Sequence, residues 1–420
     1  MWYNVRLMSS ELFAYIFIFL GIFFESFMLV TFLSWPARSA RDRSLSAKTR
    51  HVALIIPCYN EEATVKLSIE SALRTDYPKD KFELILVDDG SKDRTREIME
   101  EFRGHPQVKI IFQKNGGKHT ALNAGIAATD AEIVGCLDAD TMLEPDAVQR
   151  TLVCFDKPNV AAAMSAISIR EPRGFLERMQ SAEYTMSIFF RHALCSINAI
   201  FVTPGPFSLY RRSVIDKVGG FVYGQQTEDM EMALRLQRAG YEIDNIPGAH
   251  VTTHAMDTLP KLLRQRMRWS SGFFRNVLFD YRDLISFKHG PLGFLILPFG
   301  LIAPLAILTV SAFTVYRVTS AVVHAYLLHQ GVPIIWNIGS LSSFHPIMWF
   351  YTPISIIGLL GLVVGVMSIT MMIIGKRLSN APTNILFDAS CYLLLYGLIA
   401  PVWYLFATAD VITGTRRGWR

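Results

Sequence analysis

The chain has 420 residues, of which 51% are hydrophobic and 18% are charged. This composition is too apolar for an entirely water-soluble protein, and the length is sufficient for one domain together with a second region. The formal net charge of +5 is small for this length, which excludes a nucleic-acid-binding protein that works by bulk positive charge. The five cysteines are widely spaced and form no CxxC pair, so neither a disulfide framework nor a structural zinc site is indicated.

An apolar segment near the N-terminus, from Leu12 to Leu33, contains one charged residue, Glu25. It is long enough to cross about 30 Å of hydrocarbon and longer than the apolar part of a cleaved signal peptide, which predicts a transmembrane helix. Glu25 is interpreted either as an interior hydrogen-bond partner or as a residue that lines a polar pathway. Basic residues follow the segment, namely Arg38, Arg41, Arg43, Lys48 and Arg50. Since positive flanks stay in the cytoplasm, the large polar region after them is expected to be cytosolic.

Three further uncharged segments lie near the C-terminus: Pro291 to Tyr316, Pro346 to Gly375 and Ala389 to Ala409. Together with the first segment they predict four membrane crossings. Four crossings would leave three basic residues outside the cytoplasm, against the positive-inside tendency: Arg416, Arg417 and Arg420. Two alternatives would restore the balance, a re-entrant segment broken at Pro298 and Pro304, or a fifth crossing from Ser320 to Ile335.

The region from His51 to about Ser165 alternates short apolar runs with helix-like stretches. The runs are Val52 to Ile56, Leu84 to Val87, Val108 to Phe112, Ile133 to Leu137 and Val160 to Met164. This alternation predicts an α/β domain with a mostly parallel sheet and helical crossovers. Polar loops follow the first, second and fourth runs: Pro57 to Glu61, Asp88 to Ser91 and Asp138 to Asp140. Because ligands bind outside the carboxyl ends of such strands, these loops are expected to converge on one crevice.

Two of these loops carry chemistry suited to phosphates. Asp138 and Asp140 are two residues apart at a strand end, so both carboxylates can share a divalent ion with a diphosphate, or simply serve as turn residues. Magnesium or manganese is the ion that this pattern predicts. A glycine turn, Asn115 to Lys118, opens a predicted helix and suits an anionic phosphate, or is an ordinary turn. It is not a Walker A loop, because the required spacing to Lys-Ser or Lys-Thr is missing.

Two later motifs have both a structural and a chemical interpretation. The first motif, Thr227 to Asp229, comes directly before a predicted helix from Met230 to Ala239. Its acids either cap the helix or supply a general base. The second motif, Gln265 to Trp269, lies in a basic amphipathic stretch from Leu259 to Leu278. That stretch predicts an interfacial helix, and its amide, guanidinium and indole groups could also contact a sugar diphosphate.

Taken in order, these motifs resemble the processive, membrane-integrated family 2 glycosyltransferases, which include cellulose, chitin, hyaluronan and poly-N-acetylglucosamine synthases. The resemblance implies a Rossmann-like α/β cytosolic domain of the GT-A fold, inserted between transmembrane helices. It implies four parts: an N-terminal transmembrane helix (1–36), a GT-A domain (37–256), amphipathic interfacial helices with the QxxRW motif (257–289) and a C-terminal transmembrane bundle (290–420).

The same resemblance implies roles for individual residues. Those implied for the uridine are Pro57, Tyr59, Glu61 and Asp89, with Lys118 on the nucleotide side. Asp138 and Asp140 would hold the diphosphate and an Mg²⁺ or Mn²⁺ ion. Asp229, with Glu228 beside it, would be the general base that deprotonates the acceptor hydroxyl. The residues implied for binding the diphosphate and capping the acceptor sugar are Gln265, Arg268 and Trp269.

The function implied is an inverting, processive transfer from a UDP-sugar, with UDP-N-acetylglucosamine as the first choice. The product would be a β-linked polymer of the poly-β-1,6-N-acetylglucosamine type that is passed across the plasma membrane. The implied partners are the UDP-sugar, the growing polysaccharide, membrane lipid and a small accessory membrane subunit. Nucleic acid is not among the expected partners. The alternatives are a hyaluronan- or chitin-type synthase, non-processive transfer to a lipid carrier, and a transport or scaffold protein that merely binds nucleotide.

Overall fold

A computed structural model of the protein describes residues 2–34, 48–328, 356–379 and 384–415. The chain forms two compact units. One unit contains Met1–Phe27 and Ile302–Ser368, and the other contains Met28–Leu301 and Ile369–Arg420. All described strands and all the predicted site residues belong to the second unit.

Within the described ranges, eight strands form a single sheet. They are β1 (Val52–Cys58), β2 (Phe82–Asp88), β3 (Val108–Phe112), β4 (Ile133–Leu137), β5 (Met142–Leu143), β6 (Val160–Ile169), β7 (Phe207–Arg211) and β8 (Glu242–Thr253).

The same ranges contain twelve α-helices. They are α1 (Trp2–Ser34), α2 (Val65–Leu73), α3 (Thr95–Glu100), α4 (Lys118–Ala127), α5 (Ala147–Leu152), α6 (Phe175–Ser196), α7 (Arg212–Val218), α8 (Glu228–Arg238), α9 (Leu259–Arg275), α10 (Leu297–Leu328), α11 (Ile356–Ser379) and α12 (Ile385–Ile412).

The strand order across the sheet is β3-β2-β1-β4-β7-β6-β8-β5. The five predicted strands are confirmed as β1, β2, β3, β4 and β6. β1 pairs in parallel with β2 and β4, and β2 with β3, as expected for helical crossovers. The rest of the sheet is mixed, because β7 runs antiparallel to both β4 and β6 while β6 and β8 are parallel.

The central strands of the sheet are buried on both sides, which explains why they are continuous apolar runs. Every residue of β6 is buried, as is all of Val52 to Ile56 in β1. Since β2, β1 and β4 are neighbours in the sheet and parallel, their carboxyl ends lie side by side. The three polar loops identified in the sequence therefore emerge at one edge.

Four described helical segments are long and apolar enough to cross a membrane: Tyr15–Ser34, Leu292–His324, Gly358–Ser379 and Ile385–Ile412. Each of the four predicted crossings is represented among them. The residues from Pro346 to Ser355, with which the third predicted crossing began, lie outside the described residues.

The structure bears on both alternatives to four simple crossings, the break at Pro298 and Pro304 and the fifth crossing from Ser320 to Ile335. The expected break at Pro304 is wrong, because α10 continues through this residue to Leu328. Pro298 likewise lies within a continuous helical run, because the π-helical segment Leu292–Ile296 leads directly into α10. Ser320 to Leu328 belong to the same helix, so the described part of the proposed fifth crossing is not separate. Residues 329–335 and the terminal arginines, Arg416, Arg417 and Arg420, lie outside the described residues.

Glu25 has a partner within the first unit. The hydroxyl of Ser368 in α11 donates a hydrogen bond of 2.9 Å to Oε1 of Glu25 in α1. This contact matches the interpretation of Glu25 as an interior hydrogen-bond partner. Its alternative role in a polar pathway stays a prediction.

Helix α12 packs against the sheet domain within the second unit. Asp388 of α12 is 1% exposed and accepts hydrogen bonds from Arg178 at 3.1 Å and Ser181 at 3.0 Å, both in α6. Farther along α12, Ala400 and Trp403 form a hydrophobic cluster with Met267 of α9. A helix long enough to span a membrane is thus joined to α6 by buried polar contacts and to α9 by apolar ones.

Candidate active site

Three carboxylates from two of the converging loops lie close together. Burial and the nearby charges of Asp140 and Asp138 raise the pKa of Glu61 to about 7. Burial and the charge of Asp138 likewise raise the pKa of Asp140 to about 6. Like charges this close oppose one another's ionisation, so the cluster is suited to binding a positive group. The predicted convergence of the β1 and β4 loops is confirmed for these residues.

Lys118 connects this cluster to the start of α8. Its ammonium lies 2.5 Å from Oδ1 of Asp138 and 3.5 Å from Oε1 of Glu228. Burial by itself would lower the pKa of Lys118, but the surrounding negative charges, first that of Asp138, raise it well above its ordinary value. The lysine is therefore a fixed positive charge between the Asp138 loop and the carboxylates of α8.

The pKa values of Glu228 and Asp229, the first two residues of α8, are shifted in opposite directions. Burial would raise the pKa of Glu228, but Lys118 and Arg268 lower it overall. Burial raises the pKa of Asp229, and the charge of Glu228 adds to this. Adjacent carboxyl groups with diverging pKa values are a pattern of acid-base sites, and Asp229 is the one that holds a proton more readily.

The backbone of Asp229 is held by a loop that the sequence did not single out. Both the amide and the hydroxyl of Thr203 donate hydrogen bonds to the carbonyl oxygen of Asp229, at 3.3 and 2.8 Å. The same loop contains Gly205, which lies against Lys118 and Asp138. The sequence carried only a weak signal for it, a short glycine- and proline-containing segment before β7.

The carboxylate of Asp89 accepts hydrogen bonds from three groups of the chain itself. Its buried carboxylate accepts hydrogen bonds from Gln113 Nε2 at 2.7 Å, from the amide of Gly116 at 2.8 Å and from that of Gly117 at 2.9 Å. These bonds fix the turn before α4, where Gly117 adopts a φ of +96°. Asp89 therefore places Lys118 by holding the turn that precedes it. Its predicted contact with uridine stays a prediction.

The remaining uridine candidates lie at the end of β1. Pro57 is half-buried and pairs with Val87 of β2, and Tyr59 is half-buried two residues later. Their position at the carboxyl edge of the sheet is that of a ligand-binding loop. Their contact with a nucleotide stays a prediction.

Helix α9 carries the predicted QxxRW residues. Nη1 of Arg268 donates a hydrogen bond of 2.9 Å to the carbonyl of Gln226, directly before Thr227–Asp229, the motif at the start of α8 that is called the α8 motif below. The charge of Arg268 helps to lower the pKa of Glu228 and opposes the rise in the pKa of Asp229. Gln265 is half-buried, and its Oε1 is a buried acceptor without a hydrogen-bond partner among the described residues. An unsatisfied buried acceptor of this kind is a candidate for ligand contact.

Trp269 stacks on Arg266, which is paired with Glu183. The sequence motif includes Arg266 but gives no sign of Glu183. The guanidinium of Arg266 lies 4.4 Å from the centroid of the Trp269 ring and pairs at 2.8 Å with Glu183 of α6. Beside Glu183, burial raises the pKa of Tyr184 to about 12, and Asp140 contributes to the shift. Tyr184 is therefore within electrostatic range of both Asp140 and Arg266. Glu183 and Tyr184 were missed because α6 carries no motif that marks them.

The donor set at Asp138 and Asp140 fits a hard divalent ion only in part. Among the described residues there is no group of three or more His, Cys, Asp or Glu side chains arranged to hold a metal. Magnesium, however, is commonly held by one or two carboxylates together with substrate phosphates. Burial and the charge of Asp138 raise the pKa of Asp140, and such an ion would relieve the repulsion between the two carboxylates. Asp138 and Asp140 therefore suit a metal that is shared with a diphosphate.

The substitution Gly205→Ala is expected to weaken binding of the predicted UDP-sugar donor severely. A Cβ at this position would lie closest to Nζ of Lys118 and 3.0 Å from Oδ2 of Asp138, so the ion pair would have to open. The matched control is Gly104→Ala, where nothing lies within 4 Å of the added carbon. Isothermal titration with UDP should show at least about tenfold weaker binding for the first variant, the cost of roughly one lost charged hydrogen bond. Equal affinities of the two variants would contradict this role of the ion pair.

Known proteins that resemble this chain are glycosyltransferases. A family model described as Glycosyl transferase family 2 matches residues 53–219. The poly-beta-1,6-N-acetyl-D-glucosamine synthase of Staphylococcus epidermidis is 32% identical over 255 residues, which cover 59% of this chain and 61% of that protein. The protein of the same name from Staphylococcus aureus is 30% identical over 244 residues, which cover 57% of this chain and 59% of that protein. The match therefore spans about three fifths of these relatives.

A solved structure supports the fold. The mannosyltransferase PcManGT from Pyrobaculum calidifontis, determined in complex with GDP-Man and Mn²⁺, matches with a TM-score of 0.59 over 88% of this chain and 99% of that one. At 20% identity this likeness shows the fold alone. The GT-A fold and the family resemblance inferred from the sequence are confirmed.

Proposed function

The chain contains a glycosyl transferase family 2 domain over residues 53–219, and on this basis we propose that it is a UDP-sugar-dependent polysaccharide synthase. The donor is UDP-N-acetylglucosamine and the product is a β-1,6-linked polymer. The identity of 30–32% to proteins named poly-beta-1,6-N-acetyl-D-glucosamine synthase supports this choice of sugar and linkage. The observation that carries the proposal is the continuous cluster of Asp138, Lys118, Glu228 and Asp229.

In the proposed reaction, Asp229 accepts the proton of an acceptor hydroxyl while the hydroxyl oxygen attacks the anomeric carbon of the donor. The bond from that carbon to the UDP oxygen breaks, and UDP leaves with the bonding electrons. Direct attack inverts the α-linked donor to a β-linked product, so no covalent intermediate is needed. A raised pKa suits Asp229 to this task, because a stronger base accepts a proton more readily.

The positive groups of the site would receive the developing negative charge of UDP. Lys118 and Arg268 are both close to the α8 carboxylates and are the cations placed for this role. A bound Mg²⁺ or Mn²⁺ held by Asp138 and Asp140 would neutralise further charge on the diphosphate. The nucleoside would be contacted at the β1 and β2 ends by Pro57, Tyr59, Glu61 and Asp89.

The acceptor would lie on the side of α9. The face of Trp269 opposite Arg266 would contact a sugar ring, and Gln265 offers a carbonyl without a hydrogen-bond partner among the described residues. Since α9 also packs against α12, a polymer extended at this point would begin next to a helix able to cross the membrane. This arrangement supports processive synthesis. The catalytic domain would be cytosolic, and the product would be exported across the plasma membrane, with or without an accessory subunit.

Two neighbouring functions remain as alternatives to be tested. A hyaluronan- or chitin-type synthase would use the same machinery with another sugar or linkage. A transferase to a lipid carrier would move one sugar only, and the contact of Arg268 with the turn before Asp229 favours the polymer synthase, because it joins the acceptor motif to the base.

The deciding experiment is a sugar-nucleotide screen on detergent-purified protein with Mn²⁺ or Mg²⁺, followed by sizing and linkage analysis of the product. We expect UDP release and a high-mass 6-linked polymer with UDP-N-acetylglucosamine alone among the donors. A single chloroform-soluble glycolipid as the only product would refute polymer synthesis. Another sugar or linkage would refute the specific assignment.

A further inference from the structure

The turn that leads into the α8 motif has an unfavourable backbone. Gly224, Gln225 and Gln226 have φ values of +52°, +54° and +68° in succession. Glycine adopts this left-handed region freely, but a residue with a Cβ does so at a cost, and two such residues follow one another here. Thr227 and Glu228 come immediately afterwards. Backbone strain of this kind persists only where the surrounding structure imposes it.

The side chain of Asn276 stabilises this conformation through two hydrogen bonds. Asn276 is completely buried, and its Nδ2 donates hydrogen bonds to the carbonyl of Gly224 at 3.2 Å and to Oγ1 of Thr227 at 3.0 Å. The Thr227 hydroxyl in turn donates to the carbonyl of Gly224 at 2.9 Å. One amide therefore binds both ends of the strained turn.

Helix α9 approaches the same turn closely along its length. A Cβ at Gly272 would collide with the side chain of Thr227, so the absence of a side chain allows the helix to lie against the turn. One turn of helix earlier, Arg268 donates to the carbonyl of Gln226. Asn276 is also the first residue of a π-helical segment, Asn276–Asp280, that follows α9. Such segments are rare and frequent at functional sites.

We propose that Asn276 is a positioning residue that holds the Gly224–Thr227 turn and thereby sets Asp229 against the acceptor. This inference rests on the proposed function and deepens it. Asn276 contacts neither of the two α8 carboxylates in its hydrogen bonds, so it acts through the turn. The consequence is mechanical coupling, because the helix that carries the acceptor motif and the residue that supplies the base share one strained connection.

The first test is the variant Asn276→Ala, with Asn159→Ala as a matched exposed control. We expect kcat for UDP release to fall by about 10- to 100-fold, the effect of misplacing a reacting group by roughly 1 Å, while KM for the UDP-sugar stays within about twofold. Near-wild-type UDP affinity by titration would show that the domain remains folded. A proportional loss of kcat and UDP affinity would overturn the proposal in favour of a general structural role.

The second test separates strain from loss of packing. In a reference protein with Gln225→Gly and Gln226→Gly, the turn adopts its left-handed conformation without a Cβ penalty and depends less on Asn276. Adding Asn276→Ala to this reference should then cost at least about threefold less in kcat than adding it to the wild type. An equal cost in both backgrounds would overturn the proposal. Wild-type protein that releases UDP from no sugar nucleotide would instead refute the proposed function itself, which distinguishes the two failures.

Discussion

Replacing Asp229 with asparagine is expected to lower sugar transfer by about 10²- to 10⁴-fold, the usual contribution of a positioned general base. Asparagine preserves the shape of the side chain and can still interact with the amide of Met230, but it cannot accept the acceptor proton. UDP-sugar binding should be largely retained, because Lys118 and the Asp138 loop are untouched. The measurement is UDP release under saturating donor, together with donor affinity by titration.

The control for this substitution is Asp216→Asn, an exposed aspartate of α7 that forms an ion pair with Arg212, one turn earlier in the same helix. It should leave turnover within about twofold, since surface ion pairs contribute little. Normal activity in Asp229→Asn would refute the assignment of the base. A transport or scaffold protein that merely binds nucleotide would behave in that way.

The pH profile supplies an independent check of the same assignment. A base works only when deprotonated, so turnover should rise with pH as Asp229 loses its proton. Burial and the charge of Glu228 raise the pKa of Asp229 above that of an ordinary aspartate, which is about 4. Turnover should therefore increase at a higher pH than it would with an ordinary aspartate as the base. The substitution Glu228→Gln removes a negative neighbour, lowers the pKa of Asp229 and should shift the rise to lower pH. A shift in the opposite direction would contradict the proposed coupling.

The sequence predicted β1 to β4 and β6 because each is a compact apolar run. It did not reveal β5, β7 or β8, of which β5 and β7 are short and β8 has a less typical composition. β8 contains Asp244, Asn245 and the pair Pro247 and Gly248. Its pairing with β6 includes a register shift between Ser165 and Ala166, which accommodates the irregular segment. Long-range pairing to a buried strand, rather than local propensity, forms this element.

The candidate site could be predicted as a set of residue types but not as a network. The motif residues Asp138, Lys118 and Glu228 are far apart in the chain, and their ion pairs exist only because the β4 end, α4 and α8 meet. Asp89 shows the reverse case, because the sequence marks it as a ligand residue and the structure shows its carboxylate holding a turn. Positive φ values at Gln225 and Gln226 had no signal at all, since glutamine is not typical of that conformation.

Helix α9 connects the chemistry to the apolar helices in the second unit. One side of it contacts the turn before Asp229 through Arg268, and another packs through Met267 against α12. Trp269 lies between these functions, stacked on a guanidinium that is paired with α6. A displacement of α9 relative to α8 would therefore change the proposed acceptor site and the proposed base together.

Replacing Asp140 with asparagine is expected to remove most of the metal dependence of the enzyme. The carboxylates of Asp138 and Asp140 repel one another, and Asp138 already has Lys118 as a partner, so Asp140 is the group with charge left to offer a cation. Divalent ions contribute several kcal/mol to stabilising charge on a departing group, so metal-stimulated UDP release should fall by about 10²-fold or more.

A readout that does not require turnover tests the same site. In the wild type, Mn²⁺ with UDP should raise the melting temperature more than UDP alone, because a ligand that binds only the folded state stabilises it. This increment should disappear in Asp140→Asn and persist in Asp146→Asn, an aspartate that forms an exposed ion pair with Arg150. The spectrum of bound Mn²⁺ in electron paramagnetic resonance should be lost in the first variant only. Full activity of the wild type in excess EDTA would contradict a metal at Asp138 and Asp140 and leave Lys118 and Arg268 as the cations that stabilise UDP.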